Sequence, residues 1–369
     1  MDITKEIHKF GHEQVVFCQD NATGLQAIIA IHSTVLGPAL GGCRFWNYNS
    51  EAEAVADVLR LSRGMTYKAA VANLPLGGGK SVIIGDPQRL KTKELFSVFG
   101  RFVNSMGGRY ITAEDVNVRV DDMNVVAKET PYVTGSTSVS GGSGDPSPVT
   151  ALGVFSGIKA AVKYRLHRDS LAGLRVAVQG CGAVGSHLCQ LLAENGVHLV
   201  VADINAHATA HLREKYHAEI VSINDIHRQQ VDVYSPCALG GILNARTIAE
   251  LRTSIIAGAA NNQLLDEEKD SERLRGLGIL YAPDYVINAG GLINVCHELR
   301  GYHAENSLDD ARKIYHTLME IFIKAENRGT STLAASNAMA ESKIQLTMER
   351  GGQRLFHTFN NQAWIKLRR

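Results

Sequence analysis

An α/β fold in two domains is what this sequence predicts, and three observations carry it. The chain has 369 residues, more than a single hydrophobic core usually organises. Thirty-five glycines stand against eight prolines, a balance suited to many tight turns between strands and helices. From Leu174 to Asn205, LRVAVQGCGAVGSHLCQLLAENGVHLVVADIN reads strand, glycine turn, helix, strand. Short apolar strands between helical or polar segments follow it, the alternation of a doubly wound parallel sheet.

The elements before that unit are read in order. The first residues suit a short helix or coil, and EQVVFCQD and the β-branched run GLQAIIAIHST suit strands. Ser50 with Glu53 three residues on forms a capping box for a helix carrying Val55, Leu59 and Met65 at helical spacing. KSVIIGDP reads as a buried strand, TKELFSVFGRFVNSM as an amphipathic helix, and RYITAEDVN as a strand delivering acids at its end. The Gly/Ser/Pro cluster from Thr134 to Thr150 reads as a long loop separating the two domains. After it come the helix ALGVFSGIKAAVKYRL and, past the unit above, the strands VDVYSPC, SIIAGAAN and LGILYAPDYVIN. From about Leu308 the chain is helical, and its periodicity allows it to close the second domain or return to the first. The tail holds Phe356, Phe359 and Trp364 ahead of a basic end.

Composition excludes several function classes. Hydrophobic content is 45% and formal charge is +1, with no basic patch interleaved with aromatics, so nucleic acid is not an expected partner. No apolar run has the length of a membrane span, and the charged N-terminus lacks an apolar signal core. Six cysteines without C-x-x-C or zinc-finger spacing read as free thiols in a reducing compartment, so the expectation is a cytoplasmic protein without a metal site.

Two glycine-rich stretches ask for a ligand. Gly180, Gly182 and Gly185 form a G-x-G-x-x-G between strand and helix, with Ala183 and Val184 inside it. There the first glycine makes the turn, the second admits pyrophosphate, and the third packs the helix. Asp203, ending the next strand, can hold the ribose hydroxyls of a dinucleotide, and its charge favours NAD over NADP. The second stretch, PLGGGKSVIIGDP, imitates a phosphate-binding loop. The full motif needs an earlier glycine where Asn73 or Leu74 stands, so a nucleotide hydrolase is not expected.

Lys68, Lys80 and Asp115 remain as the polar groups of the first domain. Together they suit an amino-acid substrate. One lysine can fix its carboxylate, and a partly desolvated lysine beside another cation can act as a base. A carboxylate can then shuttle protons at the amine. A hydroxy-acid dehydrogenase would need a histidine base, and His187, His198 and His297 lack a suitable context. A silent NAD-binding paralogue should have lost Lys80 or Asp115.

At this point the sequence resembles the superfamily of glutamate, leucine, phenylalanine and valine dehydrogenases, most closely its leucine branch. The resemblance covers nearly the whole chain. It rests on LGPALGGCRFW, LRLSRGMTYKAA, LPLGGGKSVIIGDP, GRYITAEDVN, GDPSPVTALGV, PCALGGILN, IIAGAANNQL and YAPDYVINAGGLINV. It implies a substrate domain with a mixed sheet at 1–145 plus about 330–369, which would also carry oligomer contacts. It implies a Rossmann-type NAD-binding domain at 146–329, with the active site in the cleft between them.

By that resemblance Lys68 binds the substrate carboxylate, Lys80 activates water and Asp115 transfers protons. The backbone at Gly41 and Gly42 lies at the substrate, and Gly77 to Gly79 form a substrate loop. Thr150 and Asn261 reach the nicotinamide end, Cys237 and Ala238 join the cofactor residues, and Asn288 helps close the cleft. The side-chain pocket maps to Leu40, Ala113, Leu292 and Val295, all apolar, which disfavours a glutamate side chain. The expected reaction is NAD-dependent, reversible oxidative deamination of a branched-chain L-amino acid, with tryptophan or phenylalanine as the alternative. The expected assembly is a homo-oligomer, octamer or dimer.

Overall fold

Residues 3–136 and 144–351 are described by a computed structural model of the chain. Its first unit is built on five strands: β1 (Gln14–Asp20), β2 (Leu25–Ser33), β3 (Ala39–Trp46), β4 (Gly77–Ile84) and β5 (Tyr110–Ala113). They lie in the order β1-β2-β4-β3-β5. β2 runs antiparallel to β1 and β4, while β3 runs parallel to β4 and β5, so the sheet is mixed.

Side-chain alternation along β2 explains its near-continuous apolar sequence. Ile28 and Ala30 pack with Val55, Val58 and Leu59 of the Glu51–Val71 helix on one face. Ala27, Ile29 and Ile31 pack on the other with Phe96, Phe99 and Val126, from the helices Lys93–Ser105 and Val120–Glu129. The long helix starts where the capping signal predicts, Ser50 Oγ accepting the Glu53 N–H at 3.2 Å. The Glu53 carboxylate closes the turn one residue earlier, on the Asn49 N–H at 2.9 Å.

One strand was not expected and one reading changes. The segment ALGGCRFW is the inner strand β3. Gly77 to Gly79 begin β4 and do not form a loop. The reason is close packing: a Cβ on Gly77 would lie 2.0 Å from the Ser33 carbonyl, and one on Gly78 2.1 Å from the Thr66 nitrogen. A Cβ on Gly79 would meet the Tyr110 ring at 2.7 Å. Glycine is there because the sheet leaves no room for a side chain.

The second unit holds β6 (Arg175–Gln179), β7 (His198–Ala202), β8 (Glu219–Ile220), β9 (Val233–Pro236), β10 (Ile255–Ile256) and β11 (Leu280–Tyr281). Every pairing is parallel and the order is β11-β10-β9-β6-β7-β8, the arrangement of a doubly wound dinucleotide-binding fold. The expected strands SIIAGAAN and LGILYAPDYVIN each contribute only two residues, and Asp284–Ile287 is a short helix.

The units divide the chain differently from the expected boundaries. Residues 295–303 and 340–351 group with the first unit, and 304–339 group with the second. Thr332 Oγ1 donates to the Tyr281 carbonyl and the Tyr285 hydroxyl bonds to Ser336, so 330–339 belong to the second core. Glu298 accepts the Gly135 N–H, while Tyr67 donates to Glu341 and Lys343 to Asn73, which fastens those segments to the first. The late helices thus serve both units. The aromatic tail with Phe356, Phe359 and Trp364, and 137–143 of the Gly/Ser/Pro stretch, lie outside the described residues. Among the described residues no helix is long and apolar enough to cross a membrane.

Candidate active site

Lys80 enters β4 directly after the glycine run and pairs in register with Ala30 of β2, on the sheet face that the Glu51–Val71 helix covers. Its side chain is 8% exposed, and Nζ lies 2.6 Å from Asp115 Oδ2. Asp115 follows β5 by two residues. A Cβ on Gly42 would meet the Glu114 carbonyl at 2.4 Å and the Asp115 Cβ at 2.8 Å, so the bare backbone of β3 gives Asp115 its space. Burial raises the Asp115 carboxyl, but the Lys80 and Arg44 cations outweigh it and hold its pKa below the ordinary carboxylate value.

The remaining first-unit candidates lie on the neighbouring strands and on the long helix. Gly41 and Gly42 pair with Thr112 and Ala113 of β5, and Leu40 pairs with Gly78. A Cβ on Gly41 would lie 3.4 Å from Met65 Cγ of the long helix. Lys68 is half-buried in that helix's last turn, three residues after Met65 and on the same side. Behind the sheet the Tyr110 hydroxyl donates to the Gly41 carbonyl at 2.7 Å and bonds to Ser81 Oγ at 2.9 Å. Burial pushes the adjacent Cys43 thiol up to about 12, which removes it as a nucleophile.

Sequence reasoning missed Arg44, Asp57 and Tyr48. Arg44 Nε is 3.4 Å from Asp115 Oδ2, and its Nη1 is 2.8 Å from Asp57 Oδ2, which also accepts the Tyr48 hydroxyl at 2.8 Å. A charged residue between cysteine and phenylalanine in CRFW was the available signal.

The second unit assembles the dinucleotide candidates at the ends of β6, β7 and β9. Gly180 has φ 102, a conformation that favours glycine. A Cβ on Gly185 would lie 2.0 Å from the Gly180 carbonyl, so the helix Ala183–Glu194 packs tightly onto the turn. Gly182, by contrast, has nothing within 4 Å of where a Cβ would be, and as the helix N-cap it offers no side-chain cap. Uncapped N–H groups of Ala183, Val184 and their neighbours beside an open glycine fit a pyrophosphate.

Asp203 is fixed at the end of β7, accepting the Cys181 N–H at 2.6 Å and the Asn205 N–H at 2.7 Å. Ala238, after Cys237, abuts Gly180. Asn288 Nδ2 donates to Asn261 Oδ1 at 2.7 Å, and Thr150 lies against Gly290 and Gly291. Leu292 and Val295 follow three residues apart on the helix Gly290–Glu298. Among the described residues no group of three or more His, Cys, Asp or Glu side chains could hold a metal.

Comparison with known proteins identifies the family of both units. Residues 12–132 match the Glu/Leu/Phe/Val dehydrogenase dimerisation-domain family, and 141–209 with 201–352 match the Glutamate/Leucine/Phenylalanine/Valine dehydrogenase family. A leucine dehydrogenase of Geobacillus stearothermophilus is 51% identical, over 94% of each chain. An L-tryptophan dehydrogenase of Nostoc punctiforme is 49% identical, over 93% of this chain and 96% of the other. A crystal structure of L-tryptophan dehydrogenase from Nostoc punctiforme superposes with TM-score 0.84 and 48% identity, over 94% of this chain and 99% of that one.

Proposed function

The chain belongs to the Glu/Leu/Phe/Val dehydrogenase family, and from that premise we propose that it oxidises branched-chain L-amino acids, leucine with valine and isoleucine. The class of reaction follows from the family: NAD-dependent oxidative deamination of an amino acid to a 2-oxo acid and ammonia. The observation that carries the site assignment is the ion pair of the buried Lys80 with the half-buried Asp115 at 2.6 Å.

NAD, when bound, supplies the hydride acceptor. Gly180, Gly182, Ala183, Val184 and Gly185 hold its pyrophosphate and Asp203 its adenosine ribose, with Cys237 and Ala238 beside the turn. Thr150 and Asn261 serve its nicotinamide end. Lys68 fixes the substrate carboxylate and Gly41 and Gly42 line it, while the amine faces Asp115 and Lys80. Asp115 takes a proton from the substrate amine before the hydride leaves. Once the imino acid has formed, Lys80, as the neutral amine, takes a proton from water as the water oxygen adds to the imine carbon. Asp115 then returns its proton to the nitrogen and accepts the hydroxyl proton as the C–N bond breaks, leaving the 2-oxo acid and ammonia. Asn288 steadies Asn261.

In this reading the substrate side chain is assigned to Leu40, Ala113, Leu292 and Val295. None is charged, and an unpaired glutamate carboxylate would cost several kcal/mol among them. A second reading, an aromatic substrate such as tryptophan or phenylalanine, is favoured by the Nostoc relative. One methylene gives only about 1–3 kcal/mol of discrimination, so apolar character alone does not separate the two readings. NADH formation measured on leucine, valine, isoleucine, phenylalanine, tryptophan and glutamate decides it. Branched-chain substrates should lead, and comparable turnover of tryptophan or phenylalanine would overturn the choice.

We further propose a cytoplasmic homo-oligomer, octamer or dimer. The match of residues 12–132 to a dimerisation-domain family supports self-association. Light scattering of the purified chain tests it, and a monomer would refute it.

A further inference from the structure

We propose that Arg44 is a positioning residue, holding the Asp115 carboxylate ionised and turned toward Lys80. The role in catalysis rests on the deamination reading above; the placement of the carboxylate does not. Lys80 and Arg44 approach the same oxygen, Asp115 Oδ2, at 2.6 and 3.4 Å. The shorter distance is that of a close ion pair. The longer one exceeds an ordinary N–H···O bond, so Arg44 acts on Asp115 through its charge while leaving the oxygen to Lys80.

What aims Arg44 lies on its other side. Nη1 is 2.8 Å from Asp57 Oδ2 on the Glu51–Val71 helix, and the Tyr48 hydroxyl donates to that oxygen at 2.8 Å. Asp57 Oδ1 meets Arg60 at 3.2 Å. Charges therefore alternate from strand to helix: Lys80, Asp115, Arg44, Asp57. A simple tie between β3 and the helix would need only the Asp57 end of the guanidinium. The Nε end, directed at Asp115, matters to the site alone. Arginine suits the place because its planar fork presents Nε and Nη1 to two carboxylates in a fixed geometry.

The groups that set the Asp115 charge can be named. Lys80 faces it from β4 and Arg44 from β3; Cys43 and Tyr110 lie near it from the other side of the sheet. Burial pushes the Cys43 thiol up to about 12 and raises the Tyr110 phenol, so both are neutral near pH 7. The two cations decide.

The test uses the full chain labelled with ¹³C-carboxyl aspartate, the Asp115 signal being identified by its loss in Asp115→Asn. In Arg44→Met that signal should titrate at higher pH than in the unsubstituted protein. The acid limb of kcat/KM should move in the same direction. Turnover of the best amino acid should fall about tenfold to a hundredfold, with its KM changing by less than about threefold. Arg44→Lys should give a smaller displacement of the same sign, and it serves alone if Arg44→Met does not fold. An unmoved Asp115 titration in either variant, with the loss confined to thermal stability, overturns the proposal. A displaced titration in a protein that oxidises no amino acid leaves the positioning role standing and sinks the deamination reading.

Discussion

The two glycine runs look alike in sequence and do opposite things. In Gly77 to Gly79 every missing side chain is space the protein itself occupies, with backbone or ring atoms 2.0 to 2.7 Å from where each Cβ would be. In the Gly180 to Gly185 turn the first and last glycines are also crowded, at 2.8 and 2.0 Å, but Gly182 faces nothing within 4 Å. One run closes a sheet so that Lys80 emerges buried beside Asp115. The other leaves one open position at an uncapped helix end. Of the two runs, only the second leaves open space beside its backbone.

That contrast can be broken by adding single methyl groups. Gly78→Ala should have the larger effect on the fold, since its Cβ would lie 2.1 Å from the Thr66 nitrogen and 2.5 Å from the Ser62 carbonyl. A loss of about 1–3 kcal/mol or more in urea unfolding is expected, and tolerance without loss would refute the packing account. Gly182→Ala should cost only about 0.5–1 kcal/mol in unfolding, the difference between glycine and alanine at an N-cap. It should weaken NAD binding about tenfold, near 1.4 kcal/mol, by filling the position that pyrophosphate approaches. Calorimetry with NAD measures this, and unchanged affinity would contradict the open-position reading.

The smallest effect at neutral pH separates the units by titration. His12 and His32 are buried in the first unit with rings 4.9 Å apart, against Ser62, Thr66 and the Leu59 and Phe10 carbonyls. Burial lowers them from 6.5 to about 4 and about 3 respectively. The unfolded chain therefore takes up protons below its ordinary imidazole value while the folded chain does not. Stability present above that value is lost as pH falls through the window from 6.5 toward 4 and 3. Each histidine adds up to about 1.4 kcal/mol per pH unit. His12→Gln should flatten the slope of unfolding free energy against pH, and an unchanged slope would refute the assignment.

Much of this was legible in the sequence, for reasons that differ by residue. The dinucleotide turn could be read because strand, glycines, helix and Asp203 are contiguous, so local spacing carries the whole motif. Strand β2 and the Ser50 cap were equally local. Strand β3 was not legible, because its glycines imitate a turn and only the neighbouring strands reveal why they are needed. Arg44 and Asp57 escaped because their meaning is a contact 13 residues apart along the chain, closed on a third residue after β5. The late helices were recognised as helices, but periodicity cannot say which core a helix docks on; Tyr285, Tyr281 and Tyr67 decide that through their hydroxyl and carbonyl partners.

The account depends most on a buried ammonium held against a single carboxylate in the first unit. Lys80→Ala, assayed for NADH formation from leucine alongside calorimetric NAD binding, addresses it directly. A fall of about a hundredfold or more in kcat/KM with NAD affinity unchanged is the predicted result. An unaltered rate would contradict it.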